Sequence, residues 1–172
     1  MNEQTITYRV YYNGTDFLGI ASLELPNIQY MSETLSGSGI AGEIDSPTIG
    51  MTQSMQLKMT FKSADKAVYD VLNHDTTPLF ECYASVQKLD ETTGIRSDIP
   101  MVVRVVGHVK NFNLGTWETG KLTDNEVELE VVRLEISQND TELLCVDKMS
   151  MIFRVNGDDK LASTRSHIGL AY

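Results

Sequence analysis

The tightest constraint in this chain is a run of strict alternation. In TQSMQLKMTF, residues 52–61, Met55, Leu57, Met59 and Phe61 fall on one side of an extended backbone, and Ser54, Gln56, Lys58 and Thr60 on the other. A helix cannot separate these two sets, because its faces repeat every ~3.6 residues rather than every two. The stretch therefore predicts a strand with one buried and one wet face, the habit of an antiparallel sheet. The same period recurs in ITYRVYYN, which aligns Ile6, Tyr8, Val10 and Tyr12. In EVELEVVRLE, Val127, Leu129 and Val131 oppose Glu126, Glu128 and Glu130. The adjacent Val131 and Val132 break the phase, and a β-bulge there would return Arg133 and Glu135 to the glutamate face. MVVRVVGHVKNF, residues 101–112, is apolar almost throughout and predicts burial on both faces.

Turn signals separate these runs. NGTD at 13–16, QNDT at 138–141 and NGDD at 156–159 carry the residues that tolerate the positive φ angles of tight hairpin turns. FLGIASLELP reads as the return strand of the first hairpin and stops at Pro26, which cannot donate to a ladder. IQYMSETL and LFECYASVQKLD read as further strands, and EVELEVVRLEIS and ELLCVDKMSMIFRVN flank the second turn. One segment changes period. In SADKAVYDVLNHD, Ala64, Ala67, Val68, Val71 and Leu72 recur at helical spacing, with Ser63 as N-cap and Asp65 in the first turn. The spacing predicts an amphipathic helix over 63–74 lying on the sheet or plugging a barrel end. The fold class that follows is mainly β: an antiparallel sandwich or barrel with one flanking helix. A chain of 172 residues, 41 % hydrophobic and 22 % charged, fits one packed domain spanning 1–172.

SGSGIAGEIDSPTIG, residues 36–50, interrupts the alternation. It reads as a long excursion without structure of its own, which is uncommon inside a compact domain unless it is functional.

Little in the sequence points to chemistry. A formal net charge of −10, from 24 acids and 14 bases, disfavours nucleic-acid binding and docking on anionic membranes. MNEQTITYRV has no apolar run of the signal-peptide kind, and no stretch approaches the ~20 apolar residues of a spanning helix. Cys82 and Cys145 lie far apart inside strand-like runs; a disulfide is geometrically open, but they read as buried thiols in a reducing cytoplasm. His74, His108 and His167 have neither metal spacing nor a cysteine nearby, and no cysteine has a histidine or CxxC partner. GSGIAG is followed by a strand rather than a helix, and NGDD lacks calcium-loop spacing. No enzyme, cofactor or metal site is expected.

Three segments together carry a family resemblance: SETLSGSGIAGEIDSPTIGMTQSMQLKMTF, VRVVGHVKNFNLGTWETGKLTDNEVELEVVRLEI and DKMSMIFRVNGDD. They closely resemble, in the same order over most of the chain, the major tail tube protein family of contractile-tailed phages, whose relatives build R-type bacteriocins. The resemblance implies a small β-barrel or sandwich of which six copies form a ring. Rings would stack into a hollow tube inside a contractile sheath, driven through the target envelope and, in a phage, conducting the genome. Copies of the chain itself, the sheath, the baseplate and the tail terminator would be its partners. DNA would pass without specific binding, and the chain would bind no membrane. Its place would be the virion tail or bacteriocin particle, assembled in the bacterial host cytoplasm. Residues 33–50 would be an extended stacking loop that includes Ala41, Glu43 and Pro47, with Gly37, Gly39, Gly42 and Gly50 allowing close backbone approach and Ile40, Ile44 and Ile49 as apolar anchors. Neighbouring subunits would pair their sheet edges around the channel. Glu126, Glu128 and Glu130 would line a lumen that repels phosphates. The competing reading is a monomeric β-sandwich binding module, for example for carbohydrate, presenting Tyr8, Tyr12 and Trp117.

Overall fold

A computed structural model describes residues 2–16, 20–62, 66–73 and 77–170. In chain order the elements are β1 (Asn2–Tyr12), β2 (Thr15–Asp16), β3 (Ile20–Glu24), β4 (Tyr30–Leu35), β5 (Ile44–Thr52), β6 (Gln56–Phe61), α1 (Lys66–Asp70), β7 (Leu79–Leu89), β8 (Arg96–Asn113), β9 (Asn125–Gln138), β10 (Thr141–Asp147), β11 (Ile152–Val155), β12 (Asp158–Asp159) and α2 (Ala162–His167). The fold is the expected one, mainly β with antiparallel pairing throughout.

Strand β9 organises the main sheet. Along one side it pairs with β8 over its length. On the other side it pairs first with β6, from Asn125 to Glu130, and then with β10, from Arg133 to Gln138. The change of partner falls on the bulge that the sequence predicts. Val106 stands opposite Arg133 and Gly107 opposite Val131, so Val132 is the extra residue. Its carbonyl accepts from the Lys148 amide at 3.1 Å, while the Val131 amide donates to the Met55 carbonyl at 2.8 Å. Val127, Leu129 and Val131 are buried before the bulge and Leu134 after it, so the core row continues while the strand changes neighbour. Arg133 and Glu135 rejoin the outward face.

The core forms as the alternation requires. Met55, Leu57, Met59 and Phe61 are all buried, packed with the β9 row and with Val103, Val105, Phe80 and Val10. Val68 and Val71 close the core from the α1 side, and Tyr69 meets Phe112 at 5.7 Å between ring centroids.

Several local expectations are corrected. The return strand does not lie along β1. Among the described residues only Thr15 and Asp16 pair back on Tyr12 and Tyr11, whereas β3 pairs with β6; Phe17–Gly19 lie outside the described residues. The expected loop is largely a β-hairpin, because Leu35 pairs with Ile44 and Thr34 with Asp45, leaving only 36–43 as its turn. Its β5 strand runs through the Pro47 and Gly50 that read as loop residues. ELLCVDKMSMIFRVN is two strands rather than one. Asp147 Oδ1 accepts from the amides of Met149 and Ser150 and turns the chain between β10 and β11. The apolar run at 101–112 is buried on one face only in the single chain, where Val103 and Val105 are inside and Arg104 faces outward. Of the helix expected over 63–74, α1 and the turn at Val71–Leu72 are described, while Ser63, Ala64, Asp65 and His74 lie outside the described residues. A second short helix, α2, follows β12; at six residues it is too short for its periodicity to be visible.

Gly107 sits against the bulge, where a Cβ would come 2.3 Å from the Glu130 carbonyl oxygen. Gly107→Ala should destabilise the fold by about 1–3 kcal/mol, the usual cost of forcing atoms into packed structure, read as a lower urea midpoint. Val102→Ala, on the half-buried outer face of the same strand, should cost less.

Candidate assembly surfaces

Three features outside the core stand out: a projecting arm, a polar sheet face and two open strand edges. The arm is the β4–β5 hairpin. Its strands are exposed almost throughout. Met31, Glu33 and Leu35 alternate onto one face with Ile44 and Ser46, while Ser32, Thr34 and Asp45 share the other with Pro47. Met31, Leu35 and Ile44 are thus exposed apolar side chains on one side of a two-stranded ribbon, with Glu33 and Ser46 between Met31 and the Leu35–Ile44 pair, and Ile40 is exposed in the turn at the tip. Ile49 is 72 % exposed near the root. All ten residues expected in the stacking loop therefore belong to this arm or its root. Leu35 falls within the expected 33–50 segment without being named as an anchor, and Met31 lies two residues before it, in a strand whose apolar residues carry no loop signal.

At the root the two legs of the arm are tied to each other, and one of them touches the body. The Gln53 amide donates to the Gln29 carbonyl at 2.8 Å, and Gln53 Nε2 to the Tyr30 carbonyl at 3.2 Å. The Tyr30 ring lies 5.7 Å from that of Phe153.

The polar face belongs to four strand segments in the order β3, β6, the first half of β9 and the second half of β8. Glu126, Glu128 and Glu130 do share this face, opposite the buried Val127 and Leu129. Register sets Thr60, Lys58 and Gln56 beside them on β6, and Asn113, Asn111 and His108 on β8. Glu24 stands opposite Lys58 from the other side. The acids are not equivalent. Glu130 accepts from the Ser54 hydroxyl and pairs with Lys148 at 3.3 Å. Burial pulls its pKa upward, but the Ser54 and Lys148 hydrogen bonds outweigh it and hold the carboxyl below the usual range. Glu126 faces only neutral partners in register, Thr60 and Asn113, and so presents its charge with the least local compensation.

Both margins of this four-strand unit are open among the described residues. β3 pairs with β6 alone, and residues 108–113 of β8 pair with β9 alone, because β7 begins opposite Val106 and the last described bond on that side runs from the Gly107 amide to the Pro78 carbonyl at 3.4 Å. Beyond the same end lies the 114–124 connection, which carries Leu114, Leu122 and a Trp117 that is 88 % exposed. A Lys62–Asp124 ion pair at 2.7 Å fixes this connection to the end of β6.

The residues considered for other chemistry are placed differently. Tyr8 and Tyr12 pack on the core, with Tyr12 5.2 Å from Phe80, so they make no exposed aromatic platform. Cys82 and Cys145 are free and buried, and burial pushes the Cys82 thiol up to about 12. Among the described residues no group of three or more His, Cys, Asp or Glu is arranged to hold a metal ion.

Ion pairs tie the body together behind these surfaces. Arg104 bridges Glu81 at 3.1 Å and Glu135 at 2.9 Å across three strands. Arg154 holds both oxygens of Glu142 at 2.9 Å, and this bidentate pair keeps the Glu142 carboxyl below its ordinary pKa. The Arg165 hydrogen bond does the same for Asp159. A carboxyl whose folded pKa lies below its unfolded value stabilises the fold above the unfolded value. That contribution is lost as pH falls through the folded one. The urea midpoint should therefore hold down to about pH 4.5, near the unfolded range of Asp and Glu, and fall below it. Glu142→Gln should lower the neutral-pH midpoint and flatten the acid decline.

The comparisons agree with this architecture. Residues 3–169 match the family model described as phage tail tube protein FII. The chain is 27 % identical over 168 residues to the tail tube protein of Escherichia phage P2, covering 94 % of each. Two solved structures share the fold at 11 % identity and a TM-score of 0.53. One is a chain of the PVC sheath/tube terminator of an extracellular contractile injection system in the extended state, covering 77 % of this chain and 94 % of that one. The other is a chain of the PVC sheath-tube complex, covering 76 % and 87 %. Matched across nearly its whole length, and folded around the same kind of antiparallel sheet, the chain belongs to the phage tail tube protein FII family.

Proposed function

We propose that the protein is the structural, non-catalytic subunit of the inner tube of a contractile phage tail or tail-like bacteriocin particle. The observation that carries this reading is the four-strand unit with two open edges, one face in the core and the other polar and acidic. An open edge presents unpaired backbone donors and acceptors, and a second copy can satisfy them. Pairing the β3 edge of one copy with the β8 edge, residues 108–113, of the next is a head-to-tail contact. Head-to-tail contacts close into a ring when the rotation permits; six copies would give a barrel with the glutamate face inward. In a phage the bore would conduct DNA. Glu126 and Glu128 would keep phosphates off the wall, at distances within a screening length of ~8 Å.

Stacking falls to the arm. It leaves the four-strand unit near Glu24 and Met55, whereas the Trp117 connection lies at the opposite end, beyond Phe61 and Asn125. Rings that stack head to tail bring these two ends together. The apolar side chains of Met31, Leu35, Ile40 and Ile44 then lose water against the next ring, at ~25 cal/mol per Å² of apolar surface removed. Sheath, baseplate and terminator proteins would meet the finished tube, inside a tail assembled in the host cytoplasm.

Negative-stain microscopy of the purified protein should show rings or tubes; featureless monomers at high concentration would refute the reading. Replacing residues 34–45 with a two-glycine turn should leave a folded subunit that forms no tubes, and normal tubes would remove the arm from stacking. In a phage carrying Glu126→Lys with Glu128→Lys, DNA ejection should slow or stall. Unchanged ejection kinetics would place that face away from the bore.

A further inference from the structure

We propose that Asp159 and Arg165 are positioning residues of the arm: their ion pair holds Leu161 beneath Gly50 and so fixes the direction in which the β4–β5 hairpin leaves the body. This rests on the reading of the arm as the stacking element, and it concerns how that element is aimed.

Both strands of the arm come to rest on one shoulder, built from β11, β12 and α2. From β4, Tyr30 contacts Phe153, which is buried. From β5, Gly50 presses directly on Leu161, and a Cβ at Gly50 would stand 2.6 Å from Leu161 Cγ. Gly50 has φ +67°, a left-handed conformation at which the strand changes direction toward the body. The register of the hairpin is irregular there too, since Tyr30 faces Thr52 but Ser32 faces Pro47. The arm therefore bends over Leu161, and whatever fixes Leu161 fixes the bend.

Leu161 is only 4 % exposed and is held from both sides of the chain. Its amide donates to Asp159 Oδ1 at 3.0 Å, and its carbonyl accepts from the Arg165 amide at 2.9 Å. Arg165 closes the loop. Nη2 donates to Asp159 Oδ2 at 2.6 Å, and Nη1 to the Met151 carbonyl at 2.7 Å. The two side chains are only 13 % and 16 % exposed, so their attraction is poorly screened. One guanidinium thus ties the β10–β11 turn, the β12 strand and α2 into a unit with Leu161 at its centre. A lysine could reach either acceptor but not both in the same plane. α2 itself has no side-chain cap, so the short helix depends on these bonds.

The aim of a projecting arm decides whether its apolar side chains meet the next ring, because a small rotation at the root becomes a large displacement at the tip. The test uses spin labels on the free subunit, one at the tip (Ser38→Cys) and one in the β7–β8 turn (Thr92→Cys), with the label-to-label distance distribution as readout. The parent should give a single narrow distribution. Asp159→Asn and Arg165→Gln should lose it to a broad one, with Arg165→Lys between. Gly50→Ala, which crowds Leu161 from the other side, should also lose it, and provides the test if the ion-pair variants fold poorly. Glu81→Gln, which breaks an Arg104 ion pair between β7 and β8 and leaves β11, β12 and α2 untouched, should leave it narrow. An unchanged distribution in Asp159→Asn or Gly50→Ala, or equal broadening in Glu81→Gln, would overturn the inference. A broadened arm together with normal tube assembly would uphold the shoulder and instead refute the arm's stacking role.

Discussion

The structure depends on one strand serving two neighbours. β9 lends its first half to β6 and its second half to β10, and it can do so without losing its core row because Val132 is inserted at the change. Without the bulge, the period-two rule would turn Leu134 outward and Glu135 inward, and the second half of the sheet would bury charge. Gly107 is the counterpart of that insertion on β8, because backbone lies where a Cβ would go. Just past this point β7 gives way, leaving residues 108–113 of β8 unpaired on one side among the described residues. The geometry that keeps the core continuous is thus also the geometry that opens an edge.

A single copy leaves much unfinished. Among the described residues, two strand margins present backbone groups to solvent, and the arm holds Met31, Leu35 and Ile44 exposed to solvent. Large exposed apolar surface on a small protein marks a contact in waiting. The apolar residues on the arm are spread over both strands and the tip, so their burial needs a partner that reaches along the hairpin. The tie between Arg165, Asp159 and Leu161 ensures that these residues are offered in a defined direction rather than swept through solvent, which reduces the entropy lost on docking.

Charge is distributed with the same division of labour. Arg104, Arg154 and Arg165 are committed to carboxylates that stabilise the body. On the polar face the compensation is partial. Glu130 is engaged by Ser54 and Lys148, Glu128 stands opposite Lys58, and Glu126 stands opposite the neutral Thr60 and Asn113. The net acidity of the chain is therefore felt most at the Glu126 end of the face rather than evenly along the glutamate row.

The sequence by itself determined the strands of the core, the bulge and the tight turns, because each is set by contacts a few residues apart. Alternation in Met55–Phe61 and Val127–Val131 shows which side chains go inside whatever the neighbouring strand. Asn13, Asn139 and Asn156 take the positive φ their turns require. The glutamates of the polar face were legible for the same reason. Which strand pairs with which was decided only by the tertiary structure, since β3 leaves its apparent hairpin partner for β6, distant in sequence. So was the arm: glycines and a proline read as loop, but Leu35–Ile44 and Thr34–Asp45 ladder bonds hold the segment as a hairpin. The shoulder beneath it was invisible in sequence, because Gly50, Asp159, Leu161 and Arg165 meet only once the C-terminal turn has folded back over the root of the arm.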